Sequence, residues 1–168
     1  MRNIALLGFA AVLAGCGSST EETTTTTQTQ GCSSDEAGVL RIGKSLFGEF
    51  AQYQKLEEVT LVAAPQGGFG VAIYIETEGL VANEEVALTL DVLYQGKLYG
   101  TFFSEQQLFC QESGYGMLWD VVVGFDPEVF PTTDDLIAFN GEVVTLQVMA
   151  EDKDGDSATS TVDLTITL

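Results

Sequence analysis

Residues 143–168 read VVTLQVMAEDKDGDSATSTVDLTITL, and this stretch decides the fold class. Apolar and polar residues alternate before the charged segment 152–156 and again after it. Successive side chains of a strand point to opposite faces, so each run predicts a strand with one buried face. The Asp-Gly pair between the runs favours a turn, and the whole stretch therefore predicts a β-hairpin. Its predicted buried positions are Val144, Leu146, Val148, Ala150, Val162, Leu164, Ile166 and Leu168.

The period of two recurs in the middle of the chain, most clearly over residues 86–92. Further strands are predicted over residues 59–63, 70–76, 97–103 and 117–123. Trp119 belongs to the last of these and is predicted to anchor the core, while only residues 46–56 favour a short helix. With turn signals between the runs, residues 32–168 predict an all-β domain, a single antiparallel β-sandwich of about seven or eight strands.

The N-terminus has the pattern of an export signal. Arg2 supplies a positive charge, and the apolar run 4–12 is too short to span a bilayer permanently. The motif Leu13-Ala14-Gly15-Cys16 follows directly and resembles the lipobox of bacterial lipoproteins. The resemblance implies a signal peptide over residues 1–15, cleavage before Cys16 and acylation of Cys16, and several acyl chains anchor a protein stably. The alternative is an ordinary secretory signal with an unrelated cysteine.

The same resemblance implies an address in the cell. In that family an Asp after the lipidated cysteine is a common signal for retention at the inner membrane, and this chain has Gly17 there. The expected location is the cell envelope, with the lipid anchor in the outer membrane. Residues 16–31 comprise Cys16 and a Thr-rich stretch without large apolar side chains, which predicts a disordered tether about 20 Å long.

The charge of the chain limits its partners. Removal of residues 1–15 takes Arg2 away and leaves five basic against 25 acidic residues, a net charge of −20. Such a surface repels phosphate backbones and anionic lipid head groups, so we expect no nucleic-acid partner and membrane contact only through the lipid anchor. Solubility alone explains an acidic surface, and binding of a divalent cation or a basic partner is the alternative.

Two cysteines remain once Cys16 is assigned to lipid. In an oxidising compartment an even pair favours a disulfide, here between Cys32 and Cys110. Two free buried thiols are the alternative, because sequence does not show whether the two Cβ atoms approach each other.

A second resemblance covers most of the chain. The terminal hairpin is similar to the last hairpin of immunoglobulin-like and cadherin-like bacterial modules. Together with the lipobox, the tether and the Pro65-Gln66-Gly67-Gly68 turn, it resembles uncharacterised lipoproteins of gliding and predatory bacteria. In that pattern a His often follows the turn by one or two positions, where this chain has Phe69 and Gly70. The resemblance implies a fold and a cellular location, and it implies no particular chemical activity.

The composition argues against catalysis. The chain contains no histidine, so it has no Ser/His or Cys/His nucleophile pair. Adjacent acidic residues such as Glu57-Glu58 would point to opposite faces of a strand or lie in solvated turns. We therefore expect that the protein is not an enzyme. A carboxylate- or metal-dependent hydrolase is the second alternative.

Calcium is the one cofactor that the sequence leaves open, and otherwise we expect none. Asp152, Asp154 and Asp156 occupy positions one, three and five of a segment in which Asp163 stands twelfth, the spacing of a helix-loop-helix calcium loop. Ser157 stands at the sixth position, where such loops need Gly, and the flanks predict strands instead of helices. A charged, soluble hairpin turn is the alternative.

An aromatic hairpin over residues 94–103 predicts a partner site. If Gln95-Gly96 forms a two-residue turn, Leu93 pairs with Leu98 and Thr89 with Phe102. Leu93, Leu98 and Phe102 would then form an exposed apolar patch, unless residues 104–116 cover it.

The predicted function is that of a non-catalytic binding or interaction module, lipid-anchored in the envelope. Its partner would be an envelope protein or a glycan. A calcium-assisted adhesion or ligand-binding module is the first alternative.

Overall fold

The computed structural model describes Cys32, residues 38–65 and residues 67–168. The predicted signal peptide, Cys16 and the predicted tether lie outside the described residues. Within the described part no helix is long and apolar enough to cross a membrane. The strands are β1 (Val39–Leu46), β2 (Glu49–Gln52), β3 (Glu57–Thr60), β4 (Val62–Ala63), β5 (Phe69–Glu78), β6 (Glu85–Tyr94), β7 (Lys97–Gln107), β8 (Phe109–Cys110), β9 (Gly116–Gly124), β10 (Val143–Glu151) and β11 (Ser157–Thr167).

These strands form two sheets that pack face to face. The first has the order β2-β1-β5-β9-β8, with β4 added to the start of β5, and the second has the order β3-β11-β10-β6-β7. Every pair is antiparallel except β3 with β11, which is parallel. The all-β sandwich is confirmed. Eleven strands replace the expected seven or eight because four of them are only two to four residues long.

The core lies between the sheets and follows the period of two. Strands β5, β6 and β10 place every second side chain inward, and the intervening side chains face out. Burial of each large aliphatic side chain contributes about 1.5–3 kcal/mol to folding. Core side chains from both sheets include Leu40, Ile42, Ile73, Ile75, Leu88, Leu90, Leu118, Val121, Leu146, Val148, Leu164 and Ile166.

The hairpin predicted over residues 143–168 is present. Strands β10 and β11 pair without interruption from Val143↔Thr165 to Glu151↔Ser157, and β10 also pairs with β6. This strand pair forms the centre of the second sheet, which explains why its alternation is the clearest in the chain.

The predicted helix over residues 46–56 is wrong. The segment is the end of β1, a two-residue turn and β2, with Leu46 opposite Glu49. Phe47 and Gly48 both have positive φ, 55° and 88°, as the two-residue turns of right-twisted hairpins require. No Asn-Gly or Asp-Gly pair marks this turn, so the apolar residues around it suggested a helix instead.

Trp119 is not in the core, contrary to the prediction, and its side chain is 41% exposed. The register of β9 against β5 shifts by one residue here, so that Trp119 and Asp120 together oppose Tyr74. This β-bulge places Asp120 at φ 54° and breaks the alternation. Trp119 packs instead against Phe109 on the outside of the first sheet, with ring centroids 5.1 Å apart.

One end of the sandwich is closed by a 3-10 helix (Thr133–Phe139) that the sequence did not suggest. Thr132 begins it by donating its backbone N–H and its hydroxyl to the carboxylate of Asp135, at 3.0 and 2.7 Å. The helix brings Phe139 into a cluster of five rings. The cluster consists of Tyr94, Tyr99, Phe125, Phe130 and Phe139.

Cys32 and Cys110 form a disulfide, as the sequence predicted. Their sulfurs are bonded, and their Cα atoms lie 5.7 Å apart. The Cys32 side chain is buried, and the bridge ties it to β8 at the margin of the first sheet. Cys32 is thereby attached beside β9.

Candidate binding cleft

Two strand edges lie on the same side of the sandwich. β7 is the last strand of the second sheet and pairs only with β6 among the described strands. In the first sheet β8 is only two residues long and pairs with Gly116 and Met117 of β9. In the described chain, β9 therefore has no strand neighbour from Leu118 to Gly124 on the side away from β5. The sandwich is open along this margin.

Both ends of the opening are closed by the chain itself. At one end Leu108, which is fully buried, carries the chain from β7 in the second sheet to β8 in the first. At the other end Asp126 donates its backbone N–H to Tyr99 O at 2.9 Å. Gly100 allows this approach, because a Cβ there would lie 2.2 Å from Gly124 O. The two strands touch at the Gly100 end and enclose a space beside it.

This space, which we call the edge cleft, has a volume of about 770 Å³. That is within the range of small-molecule and cofactor sites, roughly 300–1,000 Å³. Its walls are mainly apolar, and a few polar side chains stand among them. The apolar side chains include Leu98, Phe102, Val122, Phe125 and Phe130, and the polar and charged ones include Lys97, Thr101, Ser104, Gln106, Asp120 and Asp126.

The ring cluster gives one end of the cleft a rigid wall. Tyr99, Phe125 and Phe130 line the cleft and also contact Phe139 behind them, with ring centroids 4.9 to 5.5 Å apart. Such edge-on and tilted pairs contribute about 0.5–1.5 kcal/mol each beyond the area they bury. This wall is held in place before any ligand arrives.

Polar groups inside the cleft come from inward positions of β7. Ser104 and Gln106 are half-buried and face the same way as Gly100 and Phe102, where an ordinary sandwich strand would carry apolar residues. Gln106 Nε2 donates to Ser104 Oγ at 3.3 Å. Polar side chains that point inward need hydrogen-bond partners, because burying them without partners costs free energy. Beside an opening, water or a polar ligand can supply those partners.

The negative charge of the cleft comes from Asp120 and Asp126. The hydroxyl of Tyr74 donates to Asp120 Oδ1 at 3.0 Å, and this hydrogen bond raises the pKa of Tyr74. Asp126 Oδ1 accepts the backbone N–H of Glu128 at 2.9 Å. Lys97 stands at the rim with its Nζ 5.3 Å from the ring centre of Tyr99. The two carboxylates and the acidic chain around them favour a basic ligand.

The predicted pairing of the aromatic hairpin needs one correction. Leu93 does pair with Leu98, but Phe102 pairs with Leu90 and not with Thr89. The register shifts by one residue next to Leu93, because Tyr99 is an extra residue on β7. Phe102 therefore turns inward and packs against the core.

The predicted patch is accordingly divided. Leu98 and Phe102 both line the edge cleft, whereas Leu93 lies half-buried outside it. Phe103 takes the outward position instead and is 71% exposed. Two residues of the cleft were thus predicted from the sequence, although the strand register on which that prediction rested is changed by the bulge. Asp120 and Val122 were not predicted, because only the sheet topology shows that their stretch of β9 has no strand neighbour on one side.

Asp152 organises the turn between β10 and β11. Its carboxylate is buried, and Oδ1 accepts the backbone N–H groups of Asp154 and Asp156, both at 3.0 Å. Oδ2 accepts the N–H of Val81 at 3.0 Å and so ties the turn to the segment between β5 and β6. Asp154 and Asp156 are exposed. Across the described chain no group of three or more acidic, His or Cys side chains is placed to hold a metal ion. The geometry favours the charged-turn alternative.

Replacing Asp152 by Asn should therefore destabilise the domain even when no calcium is present. The amide cannot accept all three N–H bonds of the carboxylate, and we expect a loss of about 1–3 kcal/mol in urea unfolding. Asp154→Asn and Asp156→Asn serve as matched controls and should change stability by less than about 0.5 kcal/mol. A calcium-dependent rise in melting temperature that Asp154→Asn abolishes would instead make this turn a calcium site.

No family model matches the chain, and no curated protein shows a significant sequence match.

Proposed function

We propose that this protein is a lipid-anchored binding module of the bacterial cell envelope, held through Cys16 in the outer membrane, and that it binds its partner in the edge cleft without catalysing a reaction. The observation that carries the binding role is the cleft itself, a mainly apolar space of about 770 Å³ with a few polar groups, between two strand edges that have no strand partner among the described residues. The partner is an envelope protein or a glycan.

The way the domain is attached supports this role. The disulfide fixes Cys32 beside β9, and the predicted tether between Cys16 and Cys32 gives the domain reach above the lipid surface. Membrane contact through the lipid alone needs no attraction between the strongly acidic domain and anionic head groups. A tethered domain with a cleft at its margin can engage a second envelope component.

The anchor is tested by Cys16→Ser. The variant should accumulate as an uncleaved precursor without acyl mass, whereas the wild type should lose residues 1–15 and partition into detergent. Intact-protein mass spectrometry and detergent phase separation measure both properties. Wild-type protein that is cleaved but carries a free Cys16 would show an ordinary secretory signal and contradict the anchor.

The binding role is tested by site-specific photo-crosslinking in living cells. A benzoylphenylalanine at position 98, which lines the cleft, should give a discrete crosslinked product. The matched control is the same residue at position 47, which is 99% exposed in the β1–β2 turn and should give none. Mass spectrometry then separates a protein product from a glycan product. Equal labelling at both positions, or none at either, would contradict binding in the cleft.

A further inference from the structure

The free edge of β9 presents main-chain groups to the cleft. Phe125 donates its N–H to Phe69 O in β5. Along an antiparallel ladder, residues whose N–H and C=O groups point toward the neighbouring strand alternate with residues whose groups point away from it. Gly124 and Val122 therefore direct their backbone groups away from β5, Val122 toward the open cleft and Gly124 toward Gly100 of β7 at the closed end. The position of Gly124 O, 2.2 Å from where a Cβ of Gly100 would stand, agrees with this direction.

The opening also has the dimensions of a strand. β8 covers Gly116 and Met117, and residues 119–123 continue the same edge without a strand partner in the described part, up to the point where Gly124 meets Gly100 of β7. Five residues of strand span about 16 Å at about 3.3 Å each. A chain laid there would run in line with β8 and fill the gap between β9 and β7.

We infer that the occupant of the edge cleft is an extended, basic polypeptide segment of a partner protein, which adds to β9 as a further strand. The inference rests on the proposed binding function and names its ligand class. Main-chain hydrogen bonds to an exposed edge give such complexes their affinity, and alternate side chains give them specificity. A glycan has no regular ladder of N–H and C=O groups to offer.

The two faces of the added strand meet different surroundings. Side chains on one face point into the sandwich toward Phe102 and Ser104, which favours small apolar or β-branched residues. Side chains on the other face lie beside Val122 and Asp120 on the outside of the first sheet. With the chain at a net charge of −19, Lys and Arg are the residues that fit there.

The experiment uses the mature, disulfide-bonded protein and a display library of random heptapeptides at physiological salt. Selected peptides should alternate Lys or Arg with Val, Ile or Thr and should be depleted in Pro, because Pro removes an N–H from the ladder. The alternate amides of the best peptide form two sets, of which one faces β9. N-methylation of that set should weaken binding at least tenfold.

Hydrogen exchange of the complex supplies the decisive comparison. Exchange of the Val122 amide, which faces the cleft, should slow at least tenfold on peptide binding. The matched control is Val121, which pairs with Ile73 in β5 and should change far less. Protection of Val121 alone, or of neither, would overturn strand addition.

Other outcomes also decide against the inference. Selection of basic peptides regardless of Pro content would show general attraction to the acidic surface, and an empty selection would show that no extended peptide binds. Either result overturns strand addition but leaves the proposed function standing if position 98 still gives its crosslink in cells. Loss of that crosslink would remove the function itself.

Discussion

Phe139→Ala should lower the free energy of unfolding by about 3–5 kcal/mol, among the largest effects of any single substitution in this domain. Phe139 is 4% exposed, and its ring contacts four others at centroid distances of 4.9 to 5.5 Å. Truncation removes the apolar surface and leaves a cavity that the surrounding rings cannot fill without moving. Chemical denaturation followed by Trp119 fluorescence measures the change, since Trp119 is the only tryptophan.

The control for this substitution lies in the same 3-10 helix. Ile137 is 61% exposed, so Ile137→Ala should change stability by less than about 0.5 kcal/mol. Because Phe139 supports Tyr99 and Phe130 in the cleft wall, Phe139→Ala should also weaken the crosslink from position 98. Similar stability losses for the two variants would mean that the ring cluster does not close this end of the sandwich.

Removal of the Cys32–Cys110 disulfide should lower stability by about 4 kcal/mol. The bridge joins residues 78 positions apart, and on the chain-entropy model a loop of this length restricts the unfolded state by about that amount. The double variant Cys32→Ser/Cys110→Ser measures the loss in denaturation without leaving an unpaired thiol.

Treatment with a reductant separates the effect of breaking the disulfide bond from the effect of replacing the two cysteines. It should destabilise the wild type to the level of the double variant and leave the double variant unchanged. Alkylation of native, non-reduced protein should label neither cysteine. Full alkylation under those conditions, or equal stability of wild type and double variant, would contradict the bridge.

Much of the fold could be predicted from the period of two, because each central strand buries one face. The β10–β11 hairpin and β6 were predicted correctly for this reason. The disulfide followed from the count of cysteines in the part of the chain that is predicted to be exported. These predictions depend on local pattern or on composition, which sequence shows directly.

The rest depended on features that break the pattern. The bulge at Trp119 and Asp120 and the extra residue Tyr99 each shift a register by one, which exchanges the two faces of a strand. The shortness of β8, which opens the cleft, is visible only when β9 is known to be its neighbour. Leu98 and Phe102 were predicted to belong to a partner patch, but the cleft that contains them depends on contacts between distant strands.

The proposed function requires that the partner binds between β7 and β9. Hydrogen exchange of the purified protein, measured with and without a detergent extract of the cells that produce it, tests whether it does. We expect slower exchange along residues 97–107 of β7 and 118–124 of β9, and unchanged exchange in the exposed β1–β2 and β10–β11 turns. Protection of those turns with none at β7 and β9 would contradict it.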